Sequence, residues 1–395
     1  MVADLFEPKK RGKYTGIVTS MYGLASIIGP LLGGFVTDNF GWKWIFFLNL
    51  PLGIAAIIMI AITMPNFKSD GQKKPVDYMG IAVLILAVTP LLLDLSMAGK
   101  DFKWLSIPCI GMFVFSAIML VLFIFVENKS SNPMIPPAFF KDRAISVSFL
   151  IAFFSQAIMF SAIMYLPYFI QGVIGSTATA SGVVITPMML GLLLASNVTG
   201  ILVSKIGKAR TFSAFAFILM IVGEALLSTM GVDTTYSEAI FYMVILGFGV
   251  GMSMPICNVN AQNAAPKQQI GSVTSTVMFF RNMGGTVGSA IFGMIMTSSL
   301  STGFAGVDMK YLPAKVQELL KNSQIITNAQ TVSSIRNQVP QKYMDYFDTI
   351  YSQVKGVLSN SVHNVFIFCI GISIIGFLVA LILREAHIDR KSIDL

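Results

Sequence analysis

Two ionisable side chains lie deep inside long apolar stretches of the sequence and are the first candidates for chemistry. Glu224 interrupts Thr211–Met230, and Arg281 interrupts Ile270–Ser299. A charge at the centre of a bilayer costs about 2.5–3.5 kcal/mol or more, so such groups usually face a bundle interior or a water-filled cavity. A carboxyl group at Glu224 could exchange protons or attract a cationic ligand, and Arg281 could line a substrate path. Hydrogen-bonded structural roles between helices are the alternative for both residues.

Two glycine-rich segments predict close contacts between helix backbones. In Gly23–Gly34, Gly29 and Gly33 stand four residues apart, which lets helices approach closely, and Pro30 bends its helix. The second segment, Gly284–Gly288, shares its apolar stretch with the deep arginine. Ordinary tight packing is the alternative to a functional role, because Gly and Pro are common in membrane helices. The candidate residues are Gly23, Gly29, Pro30, Gly33, Gly34, Gly284, Gly285 and Gly288.

A cationic loop, Gly200–Arg210, ends one apolar stretch and enters the next. Its three cations follow a predicted helix C-terminus, where the helix dipole favours positive charge, and they suit a cytoplasmic membrane surface. The loop is therefore a candidate for a gating element, with simple anchoring at the surface as the alternative. The residues concerned are Gly200, Lys205, Gly207, Lys208 and Arg210.

The composition excludes most other classes of protein. Only 12% of the 395 residues are charged and 55% are hydrophobic, whereas a soluble domain is about 25% charged. Three cysteines and two histidines leave little room for a disulfide framework or a metal centre. No glycine-rich nucleotide loop is present. We therefore expect a membrane protein that is not an enzyme, has no cofactor, binds no nucleic acid and draws on an ion gradient.

Ten apolar stretches are long enough to cross a bilayer as helices, which need about 20 residues. The polar turn 172–182 divides the longest stretch into two, and Asp94 is expected at the membrane interface near the outer end of its helix. The ten are Tyr14–Thr37, Trp44–Phe67, Tyr78–Gly99, Trp104–Val126, the two halves of Ala144–Ser204, Thr211–Met230, Ala239–Pro266, Ile270–Ser299 and Gly356–Leu383.

The basic residues predict the orientation of these helices. With the N-terminus in the cytoplasm, the inside segments hold 17 Lys and Arg residues and the short outside loops hold three. This asymmetry follows the positive-inside rule. Both termini are then cytoplasmic, and the loop 300–360 is extracellular. Within that loop, the apolar spacing of Leu312–Lys321 and Gln341–Lys355 predicts short amphipathic helices that cap the outer face.

Together these motifs resemble the fourteen-spanner drug:proton antiporters of the major facilitator superfamily. The run Gly23–Gly34 is similar to the antiporter signature of the family's fifth helix, and Trp42–Gly53 to the stretch that follows it. The loop Gly200–Arg210 resembles the second copy of the cytoplasmic gating motif, with Ser204 at the acidic position. The segments Gly251–Asn258 and Phe280–Gly285 also resemble this subfamily.

The resemblance implies an all-α major facilitator fold with an incomplete N-terminal half. The family has six helices, two inserted helices and six more, whereas this chain has two, two and six. Residues 1–67 then match family helices five and six. Residues 68–143 hold the inserted pair and a cytoplasmic loop, and residues 144–395 form the C-terminal six-helix bundle. We therefore expect that helices one to four are absent from this chain.

The function implied is proton-coupled export of amphipathic, cationic compounds by a multi-pass protein of a bacterial cytoplasmic membrane. Such transporters rock two halves around a midplane site, so this chain alone is predicted not to transport. It would need the missing helices or an equivalent partner, besides lipid, protons and a small amphipathic substrate. The alternatives are a transporter of another small solute on the same fold and a truncated membrane protein that does not transport.

Overall fold

The structure is a computed structural model of the 395-residue chain and is all-helical in the part that it describes. That part comprises residues 8–63, 77–97, 106–130, 133–310, 312, 314–321, 329–337, 339 and 341–385. The first four helices are α1 (Pro8–Phe40), α2 (Lys43–Thr63), α3 (Tyr78–Met97) and α4 (Ile107–Lys129). The short α5 (Ala138–Lys141) leads into α6 (Arg143–Tyr168), which ends in a π-helical turn, Phe169–Val173.

The rest of the chain forms four more long helices and two short ones. The long helices are α7 (Ala178–Ile206), α8 (Ala209–Ser228), α9 (Tyr236–Ala264) and α10 (Ile270–Ala305). The short helices are α11 (Ala314–Lys321) and α12 (Ala329–Arg336), followed by the final helix, α13 (Met344–Leu381). Single turns of 3₁₀ helix, Lys267–Gln269 and Gln341–Tyr343, precede α10 and α13.

Nine helices in the described residues are long and apolar enough to cross a membrane. The tenth predicted span, Tyr14–Thr37, lies within α1. The turn that was predicted within Ala144–Ser204 falls between Val173 and Ala178, where Gly175 has a φ of 82°. A side chain strains the backbone in this left-handed region, which explains the glycine there. The prediction of an all-α membrane protein with about ten spans is therefore confirmed.

Local sequence signals explain several helix ends. The Asp142 carboxylate accepts hydrogen bonds from the N–H groups of Ala144 and Ile145 and caps α6. Thr235 and Glu238 form a reciprocal capping box at the start of α9. Side chains that accept from the first N–H groups of a helix satisfy donors that have no intrahelical partner.

The hydrophobic core lies in the six-helix bundle formed by α6–α10 and α13. Its largest fully buried side chains are Phe149, Phe169, Phe217, Phe292, Phe347, Phe366, Ile151, Ile158, Leu166, Ile170 and Met188. The hairpin α3–α4 packs on α10, and α1 packs on α7. Helix α2 contacts α1 and contains no buried residue.

The predicted loop 300–360 is shorter in the structure, because helices extend into it from both sides. Helix α10 continues to Ala305, and α13 begins at Met344. The amphipathic segment Leu312–Lys321 contains α11, while Gln341–Lys355 is the start of α13 preceded by one 3₁₀ turn. Apolar side chains of this region, including Met309 and Leu320, are buried against the bundle core. This arrangement anchors the segment on one end of the bundle.

Candidate functional site

Glu224 is completely buried where α8 meets α6 and α13. Its exposed fraction is 0%, and its Oε1 atom accepts a hydrogen bond of 3.0 Å from the Ser161 hydroxyl of α6. Its Oε2 atom has no hydrogen-bond partner. The thiol of Cys369 on α13 is the second polar neighbour. An ionised carboxylate in such a place would lack most of the hydrogen bonds that water provides, so the site favours a bound proton or a cation.

Small residues let α8, which carries Glu224, pack closely against two neighbouring helices. A Cβ atom on Gly376 of α13 would overlap the Phe217 ring of α8. On the other side of α8, a Cβ atom on Gly223 would lie 2.9 Å from the Leu246 Cβ of α9. Helix α8 is therefore packed closely against α9 and α13.

Arg281 of α10 is half-buried and directed toward α9. Its Nη2 atom donates a hydrogen bond of 3.3 Å to the Met254 carbonyl oxygen, and the Cys257 thiol lies nearby. The ion pairs among the described residues involve other side chains, so no described carboxylate pairs with this guanidinium group. A guanidinium with five donors and one protein acceptor retains the capacity to bind an acceptor group.

The structure does not bring the two deep charges together. Glu224 forms its hydrogen bond with Ser161 of α6, whereas Arg281 bonds to α9. They occupy separate helix junctions.

The three glycines that follow Arg281 form the contact between α10 and α6. A Cβ atom on Gly284 would overlap the backbone of Phe153, and one on Gly288 would lie 2.8 Å from the Ala157 Cβ. At Gly285, the added atom would meet the Phe160 ring at 3.1 Å. All three are buried. At these three positions a side chain would collide with α6, so the glycines allow the two helices to pack closely.

The Gly-Pro segment of α1 forms a close crossing with α7. A Cβ atom on Gly34 would lie 2.7 Å from the Ala178 carbonyl oxygen, and one on Gly182 would lie 2.5 Å from the Pro30 carbonyl oxygen. By contrast, a Cβ atom on Gly29 or Gly33 would meet no atom within 4 Å. The close backbone contact predicted for Gly29 and Gly33 is therefore made by Gly34.

The other signature glycine, Gly23, lies in α1, but its surroundings fall outside the described residues.

Asp38 strengthens the same crossing at the start of α7. Its carboxylate accepts hydrogen bonds from the N–H groups of Ala178, at 3.0 Å, and Thr179, at 2.8 Å, and from the Thr179 hydroxyl. A carboxylate at a helix N-terminus satisfies free N–H donors and complements the helix dipole. The sequence reasoning missed this residue. Its position one turn after Gly34 was the available signal.

The loop between α7 and α8 has the geometry of a tight helix-to-helix connection. Gly207, with a φ of 76°, ends α7, and its N–H donates to the Val203 carbonyl. Lys208 and Arg210 are exposed, and a Cβ atom on Gly200 would lie 3.5 Å from the Pro255 Cβ of α9. The side chain of Lys205 lies outside the described residues. In the described part of the loop, the cations lie on the surface without an ion pair.

Two further polar residues, Asn260 and Asp94, are buried in the structure. Asn260 is 3% exposed and donates to the Ala144 carbonyl and the Ser148 hydroxyl. Asp94 was expected at the membrane interface, but it is fully buried, with its carboxyl group beside the Cys109 thiol. The reason is the pairing of α3 with α4, which covers a helix end that the sequence alone leaves open.

No group of three or more His, Cys, Asp or Glu side chains suited to a metal ion occurs in the described ranges. The three cysteines are free and buried. The polar features that remain are single deep charges and close helix crossings. Together with the long apolar helices, they define a multi-pass helical membrane protein.

The sequence profile described as Major Facilitator Superfamily matches residues 1–289. The chain therefore belongs to the Major Facilitator Superfamily. It is related to multidrug transporters, and the superfamily consists of transporters, not enzymes. The prediction of the fold is confirmed by this match.

Three relatives place the chain within this superfamily. It is 35% identical to the multidrug transporter protein MdtP of Bacillus subtilis over all of this chain and 74% of the relative. It is 30% identical to the multidrug resistance protein 3 of Bacillus subtilis over 99% of this chain and 75% of the relative. A fungal relative, the efflux pump MFS1 of Trichophyton rubrum, is 29% identical over 87% of the chain and 64% of its own length.

Proposed function

We propose that this chain is the larger part of a proton-coupled exporter of amphipathic, cationic compounds, of the fourteen-spanner antiporter type. The observation that carries the proposal is Glu224, fully buried with one unpartnered carboxyl oxygen. The relatives' names, which describe multidrug transport, support the substrate class.

Glu224 is the proposed proton carrier. With a proton bound, the carboxyl group is neutral and tolerates its apolar surroundings, while Ser161 donates to Oε1. Loss of the proton leaves a buried anion, which is costly until the bundle opens the site to water or a cationic substrate approaches. Proton uptake at one side and release at the other would therefore favour different bundle arrangements. This is the coupling that an antiporter requires.

The crossing of α1 and α7 is the proposed joint between the two halves. Gly34 and Gly182 leave no side chain between the backbones, and Asp38 ties the end of α1 to the start of α7. Alternating access requires one half to rock against the other around a fixed contact. The cations Lys208 and Arg210 and the half-buried Arg281 are proposed as gating and substrate-path residues.

Further helices are required to complete the N-terminal half. Helix α2 has no buried residue, and large apolar side chains such as Phe46 and Ile62 are 69% and 78% exposed. The chain covers about three quarters of MdtP. We therefore propose that four further helices, or an equivalent partner, pack on α1 and α2, and that this chain alone does not transport.

The same proposal specifies the remaining organisation. Residues 1–67 belong to the N-terminal half, residues 68–143 are inserted, and residues 144–395 are the C-terminal half. Both termini are cytoplasmic, in the cytoplasmic membrane of a bacterium, and α11 and α12 lie on the outer side. The bias of 17 basic residues against three supports this orientation.

A transport assay in proteoliposomes tests the proposal. We expect the 395-residue chain to show no proton-driven efflux of an amphipathic cation such as ethidium, and a version extended by four N-terminal helices to show it. In the extended version, Glu224→Gln should abolish efflux at normal expression. The exposed carboxyl variant Glu385→Gln serves as the control and should leave efflux intact. Efflux by the short chain, or efflux unchanged in Glu224→Gln across pH, would contradict the proposal.

A non-transporting membrane protein is the second candidate, and the uncovered α2 supports it. Its prediction is that the 395-residue chain is stable in the cell without any partner. Co-purification with a membrane protein that supplies four helices would argue against it.

A further inference from the structure

Two carboxyl groups meet at one end of the inserted hairpin α3–α4. Asp77 immediately precedes α3, and its Oδ1 atom accepts a hydrogen bond of 2.7 Å from the Gly80 N–H. Glu127 lies in the last turn of α4 and is 2% exposed. Asp77 therefore occupies the usual capping position at the start of a helix, whereas the Glu127 carboxyl group is almost completely shielded from solvent.

Gly80 brings these groups into one small space. A Cβ atom on Gly80 would lie 3.0 Å from the Glu127 Oε1 atom and 3.0 Å from the Asp77 Cγ atom. The two carboxyl groups consequently lie within about 6 Å of each other, a range in which like charges disfavour ionisation of both.

Each carboxyl group has one buried oxygen without a hydrogen-bond partner, Oδ2 of Asp77 and Oε1 of Glu127. The Glu127 carboxyl group accepts a hydrogen bond of 3.3 Å at Oε2 from the Ile135 N–H and another from the Met134 N–H. Two carboxylates with unsatisfied oxygens in one buried space are unfavourable unless a cation or a proton lies with them.

The cations near the hairpin that the structure describes are directed elsewhere. Lys129 of α4 lies with its Nζ 4.5 Å from the Phe125 ring centroid, and Arg281 of α10 donates to Met254. Helix α10 presents the apolar ring of Phe279 to the hairpin. Among the described residues, no Lys, Arg or His nitrogen forms an ion pair with either carboxyl group.

We propose that Asp77 and Glu127 share one proton and form a proton-binding site of the inserted hairpin, separate from Glu224. The site takes one proton from water, which turns two carboxylates into a carboxylic acid hydrogen-bonded to a carboxylate, and returns it to water on release. Asp77 is the carboxylate of the pair, because a hydrogen bond from Ser130 and another from the Gly80 N–H hold the pKa of Asp77 below its ordinary value. Glu127 carries the proton.

The site controls how the hairpin is attached to the bundle. Ile135, whose N–H donates to Glu127, packs with Val83, Leu84 and Phe123, and Phe279 of α10 covers this cluster. Loss of the proton places two negative charges beneath this contact. Deprotonation therefore weakens the attachment of the hairpin to α10.

Infrared difference spectroscopy of the purified 395-residue protein, titrated between about pH 8 and about pH 4, tests the proposal. The wild type should show a carboxylic-acid C=O band that Glu127→Gln removes. Asp77→Asn, which removes the like charge, should move the pH at which the band is half-developed down by about one unit. A band that persists in Glu127→Gln, or a midpoint unchanged in Asp77→Asn, would overturn the shared site.

Two further variants keep the test valid if a charge variant fails to fold. Gly80→Ala retains both carboxyl groups but inserts a methyl group between them, so it should also lower the midpoint. Gly111→Ala in α4, where an added Cβ meets no atom within 4 Å, is the matched control and should not. Glu224→Gln should leave this band in place. Loss of the band in Glu224→Gln would assign it to Glu224 and overturn the proposal.

Discussion

The six-helix bundle and the pair α1–α2 have similarly apolar sequences, but they differ in how closely their helices are packed. In the bundle, glycines such as Gly284 and Gly288 lie against neighbouring helices, and a carboxyl group at Glu224 is completely enclosed. In the pair, a Cβ atom on Gly29 or Gly33 would meet no described atom within 4 Å, and α2 has no buried residue. The glycines of the bundle therefore lie at close helix contacts, whereas Gly29 and Gly33 meet no such contact among the residues that the structure describes.

Matched glycine substitutions give the largest expected contrast between the two regions. Gly284→Val should destabilise the protein by about 3 kcal/mol, because the new side chain would overlap the Phe153 backbone. Gly29→Val should change stability by less than about 0.5 kcal/mol, since no atom is nearby. Chemical unfolding in detergent micelles measures both. Equal effects of the two substitutions would contradict the contrast.

Chemical labelling of α2 tests whether its face is open for packing. A cysteine at Ile57, which is 69% exposed, should react rapidly with a membrane-permeant maleimide in this chain. Extension by four N-terminal helices should slow the reaction on the order of tenfold, which corresponds to about 1.4 kcal/mol of protection. A cysteine at Ile375 on α13, 50% exposed, is the control position and should label equally in both proteins. Unchanged labelling at Ile57 would show that its face stays uncovered.

At its crossing with α7, α1 packs as closely as the helices of the bundle do. Gly34→Ala should cost about 2 kcal/mol, because its Cβ would press on the backbone at Ala178 and Thr179. Gly33→Ala, one residue earlier, should be neutral or slightly stabilising, as expected for an unobstructed helix position. Unfolding midpoints of the two variants measure the difference. A similar loss in both would show that α1 packs in another orientation.

Removal of the helix cap that Asp38 provides has the smallest expected effect on stability. Asp38→Ala should lower stability by about 1 kcal/mol, the usual cost of losing a side chain that accepts from helix N–H groups. Asp38→Asn retains one acceptor oxygen and should lose less. The exposed Asp233→Ala is the control. Thermal unfolding in the same detergent measures the stability of each variant. A larger loss of stability in Asp38→Asn than in Asp38→Ala would contradict the prediction.

The number of spans and many of their limits were predictable from the sequence, because they depend on the run of apolar residues and on single breaking signals. The limits beside the predicted loop 300–360 are the exception, since α10 and α13 extend into it. The turn after α6 is an example, since Gly175 falls within the predicted polar segment. The burial of Glu224 could be anticipated from its depth in an apolar stretch. The partner of Glu224, Ser161, could not, because that contact joins residues 63 positions apart.

The acidic residues outside the six-helix bundle show the limit of sequence reasoning. Asp94 lies near the end of its helix, which predicts an interfacial position, and the packing of α4 buries it. Asp77 and Glu127 stand 50 positions apart in ordinary loop and helix-end surroundings. Only the antiparallel pairing of α3 and α4 brings both to Gly80.

The sequence by itself determined that this protein is an all-helical, multi-pass membrane protein. Its sparse charge, apolar stretch lengths and basic-residue distribution act locally, through the cost of placing charge and unpaired backbone groups in lipid. The tertiary structure decided which glycines contact a neighbour, which carboxyl groups are enclosed and which helix faces stay open. These outcomes depend on the angle and register at which helices cross, and pairs of distant residues, not any single stretch of sequence, determine them.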